Sequence, residues 1–207
     1  MISKGELAKR LSKLKTYESS RELIHKSRLA FEQYSTDSEI AASIIWNALQ
    51  LGDINGKEIA DLGAGTGILG IGALLEDAKK VFFVEKDEEG IRILKDNLKS
   101  VDEINKREGI FFGDVLDFKE NIDVAITNPP FGTKKKHADL IFLDKACEIA
   151  KVGYSLHKSE TLEYIEKYLS RKGRNINRRW DFMFPLKASL DFHKARIYRI
   201  KVSCIRF

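Results

Sequence analysis

From Lys57 onward, short apolar runs alternate with stretches whose apolar residues recur at helical spacing. Glu58–Leu62 reads as a strand, and the glycine-rich turn Gly63–Gly67 opens a helix over Ile68–Glu76. Val81–Glu85 is the next strand. Ile91, Leu94 and Leu98 mark the helix behind it, with Asp87 as its cap. Strands follow at Gly109–Phe112 and Val124–Thr127, then a helix over Ala138–Ile149, a strand at Val152–Leu156 and a helix around Leu162–Leu169. The last two segments, Asn175–Phe184 and Ala195–Phe207, carry no helical period and predict an antiparallel hairpin at a sheet edge. Strand–helix repetition of this kind predicts an α/β fold: a mostly parallel, Rossmann-like sheet with helices on both faces.

Upstream, Leu7, Leu11 and Leu14 form one stripe of a basic helix over residues 3–15, better suited to docking on the main domain than to lying on a membrane. A polar turn over Phe31–Asp37 leads to a second helix. Thr36 or Asp37 caps it, Glu39 lies in its first turn, and Ile40, Ile44, Ile45 and Ala48 form its buried face. Gly52, Asn55 and Gly56 make a turn before the first strand. No repeat, low-complexity tract or linker divides the chain. We read residues 1–207 as a single domain with an N-terminal helical extension over about 1–36.

Composition narrows the class. The chain has 207 residues, 43% hydrophobic and 32% charged, enough for one full core. A net charge of +5 admits a nucleic-acid partner without requiring one. Cys147 and Cys204 lie far apart, and His25, His137, His157 and His193 are scattered, so no metal site is expected. No apolar run approaches the roughly 18 residues of a membrane span, and the N-terminus is polar, which predicts a cytoplasmic protein without a membrane partner.

The chemistry concentrates at Asn128-Pro129-Pro130-Phe131, where an apolar strand stops at two of the chain's three prolines. A proline pair cannot continue a ladder and holds the preceding residue extended, so the motif sits on a stiff loop leaving the strand. An amine on an aromatic ring is a poor nucleophile because its lone pair is delocalised. If its two N–H groups donate to the Asn128 side-chain oxygen and the Pro129 carbonyl, the nitrogen is drawn towards tetrahedral geometry and can attack a methyl group. Phe131 would stack on the ring, a contact worth about 1–3 kcal/mol elsewhere. The same residues also suit a plain proline-stiffened turn with Phe131 filling the core.

Four polar features fall at strand carboxyl ends, where open parallel sheets bind ligands: Gly63–Gly67, Glu85, Asp114 and Asn128–Phe131. Glu85, about 20 residues past the glycine turn, suits a ribose diol. Asp114 and Val115 suit an adenine edge, through a carboxylate acceptor and a backbone N–H. Dinucleotide oxidoreductases share much of this pattern, but their fingerprint requires a glycine where Ile68 stands.

Together these residues resemble the class I S-adenosylmethionine-dependent methyltransferases with an Asn-Pro-Pro-aromatic motif. Glu32-Gln33-Tyr34 with Thr36, Asp61-Leu62-Gly63, Asn128–Thr133, Tyr154–Lys158 and the terminal Ile205-Arg206-Phe207 look more particularly like the methyltransferase-like family that makes N6-methyladenosine in small-subunit ribosomal RNA. The resemblance implies S-adenosyl-L-methionine as donor. Gln33 and Thr36 would hold its methionine end, and Asp61, Gly63, Gly65, Thr66, Gly67 and Ile68 would form its loop. Glu85 would take the ribose, and Asp114 and Val115 the adenine. It implies Asn128, Pro129, Pro130 and Phe131 as the catalytic set. It also implies a small zinc-binding activator protein, by analogy with eukaryotic members. Thr66 stands where some relatives have cysteine, and Glu85 where some have aspartate.

Lys134, Lys135 and Lys136 follow the catalytic loop and are candidates for phosphate contacts, as are Arg171–Arg174 with Arg178 and Arg179. His157 and Lys158, after an apolar run, are further substrate candidates. Three readings remain open: transfer of methyl to N6 of an adenosine in structured RNA, protein glutamine N5-methylation, and a non-catalytic nucleic-acid-binding scaffold on the same fold.

Overall fold

The computed structural model describes residues 1–17, 35–104, 106–130, 138–187 and 197–207. The sheet has seven strands in the order β3-β2-β1-β4-β5-β7-β6. They are β1 (Glu58–Leu62), β2 (Lys80–Glu85), β3 (Glu108–Phe112), β4 (Ile122–Thr127), β5 (Ala150–Lys158), β6 (Arg178–Lys187) and β7 (Ile197–Arg206). The first five are mutually parallel, and β7 runs antiparallel to both β5 and β6. This is the predicted α/β architecture with its closing hairpin.

The helices are α1 (Lys4–Leu11), α2 (Ser38–Gln50), α3 (Ile68–Leu75), α4 (Glu88–Lys99), α5 (Ala138–Ile149) and α6 (Leu162–Arg171). The core on one face of the sheet draws on α1 to α4, and that on the other on α5 and α6. Ile59, Val124 and Ile126 point into the first layer, and Ala60, Leu62 and Ala125 into the second. Burial on both faces is why these strands read as continuous apolar runs rather than alternating ones.

Helix starts follow the capping residues. Asp37 accepts from the amides of Glu39 and Ile40 at the head of α2, and Asp87 accepts from Gly90 at the head of α4. In α1 the cap is Ser3, and the helix ends at Leu11, shorter than the predicted 3–15. Leu7 and Leu11 are nevertheless fully buried, and Leu14 nearly so, in the same core as α2 and α3. The strand predicted at Val152–Leu156 is longer at both ends, so His157 and Lys158 are its last two residues.

The carboxyl end of the chain is cross-braced. Asp53, in the turn after α2, accepts from the Tyr154 hydroxyl at 2.6 Å and from Arg206 Nε at 2.7 Å. Burial and the Asp53 carboxylate push the Tyr154 phenol pKa up. The Arg171–Arg174 segment lies away from the carboxyl ends of the parallel strands. Arg174 turns inward to the carbonyls of Cys147, Ala150 and Lys151 at the amino end of β5, and Lys172 pairs with Asp144 at 2.8 Å.

Candidate active site

After β1 the chain reverses through Gly63, Gly65 and Gly67, all with positive φ. A Cβ on Gly67 would stand 2.3 Å from Leu94 Cδ1, and one on Gly63 would stand 2.8 Å from Phe142. These two positions therefore demand glycine on both conformational and steric grounds. The amides of Gly63 and Ala64 donate to Val84 O, which ties the turn to β2. Gly67 caps α3 without a side-chain acceptor. The turn thus brings bare backbone to the helix N-terminus, as a cofactor cradle requires.

Glu85, at the end of β2, holds this turn in shape. One carboxylate oxygen accepts from Gly65 N at 2.7 Å, and the other accepts from the amides of Lys86 and Asp87, each at 2.8 Å. Ribose hydroxyls would use the remaining lone pairs of a carboxylate already fixed in orientation. Asp61 accepts from Gly70 N at 2.9 Å and is almost fully buried. Burial pushes its pKa up to about 7, against the Gly70 hydrogen bond and with help from the Glu85 charge.

At the end of β3, Asp114 accepts from Leu116 N at 3.1 Å and pairs with Lys86 Nζ at 2.9 Å. Those hydrogen bonds, that of Lys86 first, hold its carboxyl below the usual range. Val115 beside it is buried. Lys86, Asn97 and Tyr17 were not singled out from the sequence. Asn97 Nδ2 donates to Thr66 O and to Lys15 O, each at 2.9 Å, so it clips the glycine turn to the N-terminal segment. Tyr17 is buried, its hydroxyl 3.4 Å from where a Cβ on Gly65 would lie. No local pattern marks these residues, since their partners lie tens of positions away.

Beyond β4, Thr127 Oγ1 donates to Leu62 O at 2.8 Å and locks the strand end to β1. Asn128 Nδ2 donates to Thr36 Oγ1 at 2.9 Å, just ahead of α2. The Asn128 Oδ1 atom is buried and accepts from no group among the described residues. An unpaired buried carbonyl oxygen is costly, about 1–3 kcal/mol, and its retention points to a donor that arrives with a ligand. Pro129 is buried and Pro130 half-buried behind it. Gln33, Phe131, Lys134, Lys135 and Lys136 lie outside the described residues.

His157 is buried on the face covered by α5. Nε2 meets Ser155 Oγ at 2.8 Å, and Nδ1 lies 3.4 Å from Asp139 in the first turn of α5. The His157 ring therefore joins β5 to α5. The Lys158 carbonyl accepts from Thr161 Oγ1 at 2.9 Å, and its backbone pairs with Val202 on β7.

Glycine turn, acidic strand ends and an acceptor at the end of β4 suit an adenosyl donor and a nucleophilic nitrogen. Fold and site together define the class: a methyltransferase that draws its methyl group from S-adenosylmethionine. The model of the methyltransferase small domain matches residues 25–153, and the chain belongs to that family. The crystal structure of PH1948 from Pyrococcus horikoshii superposes with a TM-score of 0.87 at 42% identity, covering 100% of this chain and 98% of that one. The rRNA N(6)-adenosine-methyltransferase METTL5 of Danio rerio is 32% identical over 94% of this chain and 98% of its own. The rRNA N(6)-adenosine-methyltransferase metl-5 of Caenorhabditis elegans is 32% identical over 88% and 90%.

Proposed function

We propose that this methyltransferase modifies the exocyclic N6 of an adenosine in structured RNA, in particular small-subunit ribosomal RNA, and works in the cytoplasm as a single domain. The observation that carries the reading is the buried Oδ1 of Asn128, which accepts from no group among the described residues, on a side chain whose amide donates to Thr36. The names of the relatives from Danio rerio and Caenorhabditis elegans support the substrate.

Bound S-adenosylmethionine supplies an electrophilic methyl group on sulfur. The chain's own residues position the nucleophile. Asn128 Oδ1 and the Pro129 carbonyl accept the two N–H groups of the adenine amine and restore its lone pair. Phe131 stacks on the base. After transfer, the proton on the methylated nitrogen passes to water. This is positioning and preorganised electrostatics, with no strong base required. For the donor we assign Gln33 and Thr36 to the methionine end, Asp61 and Gly63 to Ile68 (with Gly65, Thr66 and Gly67) to the loop, Glu85 to the ribose, and Asp114 with Val115 to the adenine.

On the substrate side, Lys134, Lys135, Lys136 and Lys158 are assigned to phosphates. His157 bears on the substrate through Asp139 and the helix it anchors. The target adenosine must be unpaired or flipped out, because a paired amine cannot reach the loop. A small zinc-binding activator is the proposed partner, seated on edge strand β3. Ile110 and Phe112 on β3 and Leu116 just past it are 36%, 59% and 52% exposed, beside a strand edge that no other strand joins among the described residues. Among the described residues no helix is long and apolar enough to cross a membrane.

Purified protein with labelled donor, assayed on small- and large-subunit RNA, DNA and protein, tests the reading by mass spectrometry of the products. N6-methyladenosine in small-subunit RNA is expected. Asn128→Ala should lower the transfer rate by roughly 10²–10³ while donor affinity holds. Methyl on glutamine or on another base would overturn the substrate, and unchanged turnover in Asn128→Ala would overturn the mechanism.

A further inference from the structure

The hairpin outruns the sheet that it closes. Pairing between β5 and β7 ends at Lys158 opposite Val202, whereas β6 and β7 stay paired for five more positions, from Met183 opposite Lys201 to Lys187 opposite Ile197. Because β7 is antiparallel to β5, this extra length lies beyond the carboxyl end of β5, the end from which the Asn128 loop leaves the neighbouring strand. At a strand rise of about 3.3 Å per residue the ribbon stands some 16 Å above the last β5 pair. β7 is two strands from β4, about 10 Å to the side of the catalytic loop.

The two faces of the ribbon differ. On the inner face Phe184 and Val202 are fully buried in the main core, and Phe182 and Ile200 pack against it, so the base of the ribbon is anchored. The outer face carries Arg179, Asp181 and Met183 on β6, with Arg199 and Lys201 on β7, all exposed. Asp181 is committed to Arg179, at 2.7 and 3.0 Å, and to Ser203 at 2.6 Å. Lys201 comes only to 3.7 Å of it and is 60% exposed, and Arg199 has no acidic partner among the described residues. Pro185, opposite Arg199 on the edge strand, removes a backbone donor there and discourages addition of a further strand.

We propose that this protruding ribbon is an arm for the RNA backbone, on which Arg199 and Lys201 hold phosphates of the structured region that flanks the target adenosine. The proposal rests on the RNA reading above and adds an element to it. Arg199 and Lys201 are alternate residues of one strand, so their side chains project from the same face about 7 Å apart. Both cations stand on a pre-formed support, so little ordering of the backbone is needed when phosphates bind. Among the residues of this face whose exposure is described there is a surplus of positive charge and one exposed large apolar side chain, Met183, which favours a polyanion over a protein partner.

The test uses the full chain and the double variant R199E/K201E, with R199Q/K201Q as the neutral counterpart. Both side chains are exposed, so thermal stability should hold in each. Binding of a structured ribosomal RNA fragment is followed across salt concentrations. Methylation is measured on that fragment and on a short single-stranded oligonucleotide that reaches only the catalytic loop. Affinity for the structured RNA should fall at least tenfold in the charge-reversed variant. In the neutral one the slope of log affinity against log salt should become shallower by about 2, for two lost phosphate contacts. KM for the structured RNA should rise with kcat unchanged, and the short oligonucleotide and the donor should be used as by the wild type. If both variants match the wild type in slope and KM while N6-methyladenosine still forms, the arm is overturned and the proposed function stands. If the wild type methylates neither RNA, the proposed function falls and the arm falls with it.

Discussion

Asn128 and Asp61 show how the surroundings of a single side chain set its chemistry. The Asn128 amide donates to Thr36, and its oxygen is buried with no donor among the described residues, so the residue is oriented before any substrate arrives. Asp61 is buried with one backbone donor, and its pKa is pushed up to about 7 from an ordinary value of 3.8. Between those two pH values the folded protein retains a proton that the unfolded chain has released. Asp61 therefore makes stability decline as pH rises from about 4 to about 7, with the full cost present above that window and absent below it. The cost is on the order of 4 kcal/mol when fully developed. Asp61→Asn keeps an acceptor for Gly70 and cannot ionise. Urea unfolding at pH 5 and pH 8 should show the donor-free wild type losing stability relative to this variant at the higher pH. Parallel pH profiles would remove Asp61 as the cause.

At the scale of the element, the two edges of the sheet are treated differently. β6 carries Pro185 and a charged outer face, the features that discourage another strand from joining. β3 carries Ile110 and Phe112 on one exposed face, with Leu116 just past its end, and lacks such protection. This contrast is the reason β3, and not β6, is proposed as the seat of an activator. Phe112→Asp should leave the isolated chain's stability within about 0.5 kcal/mol, as for exposed positions generally. It should abolish the rise in Tm that co-purified activator gives the wild type. A variant that still gains the full rise would move the partner elsewhere. Element boundaries were largely visible in the sequence because caps and periods are local signals: Asp37, Asp87 and the Leu7, Leu11 stripe each act within a turn or two. The ends of β5 were less visible, since a strand stops where its neighbour stops supplying partners.

Across the whole molecule, Asp53 joins the turn after α2 to β5 and β7 through Tyr154 and Arg206, and Arg206 reaches on to Asn177. With Asp53 and Arg206 only 10% and 21% exposed, loss of one partner strands the other charge in a poorly solvated place. Asp53→Asn should cost about 3 kcal/mol in urea unfolding. Since β7 stays paired with both β5 and β6, the same variant should still unfold as one cooperative unit. A biphasic transition would show the hairpin melting separately.

The sequence by itself determined the α/β class, the order of elements, the glycine turn, the acids at the strand ends and the asparagine-proline motif. Each of these is written in residues a few positions apart, where backbone conformation and side-chain period are set. Tertiary structure alone decided which residues meet. Thr36 reaches Asn128 across 92 positions, Asn97 reaches Thr66 across 31, and Arg206 reaches Asp53 across 153. It also decided the use of charge. Arg174, in a basic run that looked suited to phosphates, is spent on carbonyls at the amino end of β5, whereas Arg199 stays exposed on a ribbon beside the site. A charge run carries no direction in the sequence. Direction comes from strand order, and that order is settled only when the two faces of the sheet bury their apolar surface together.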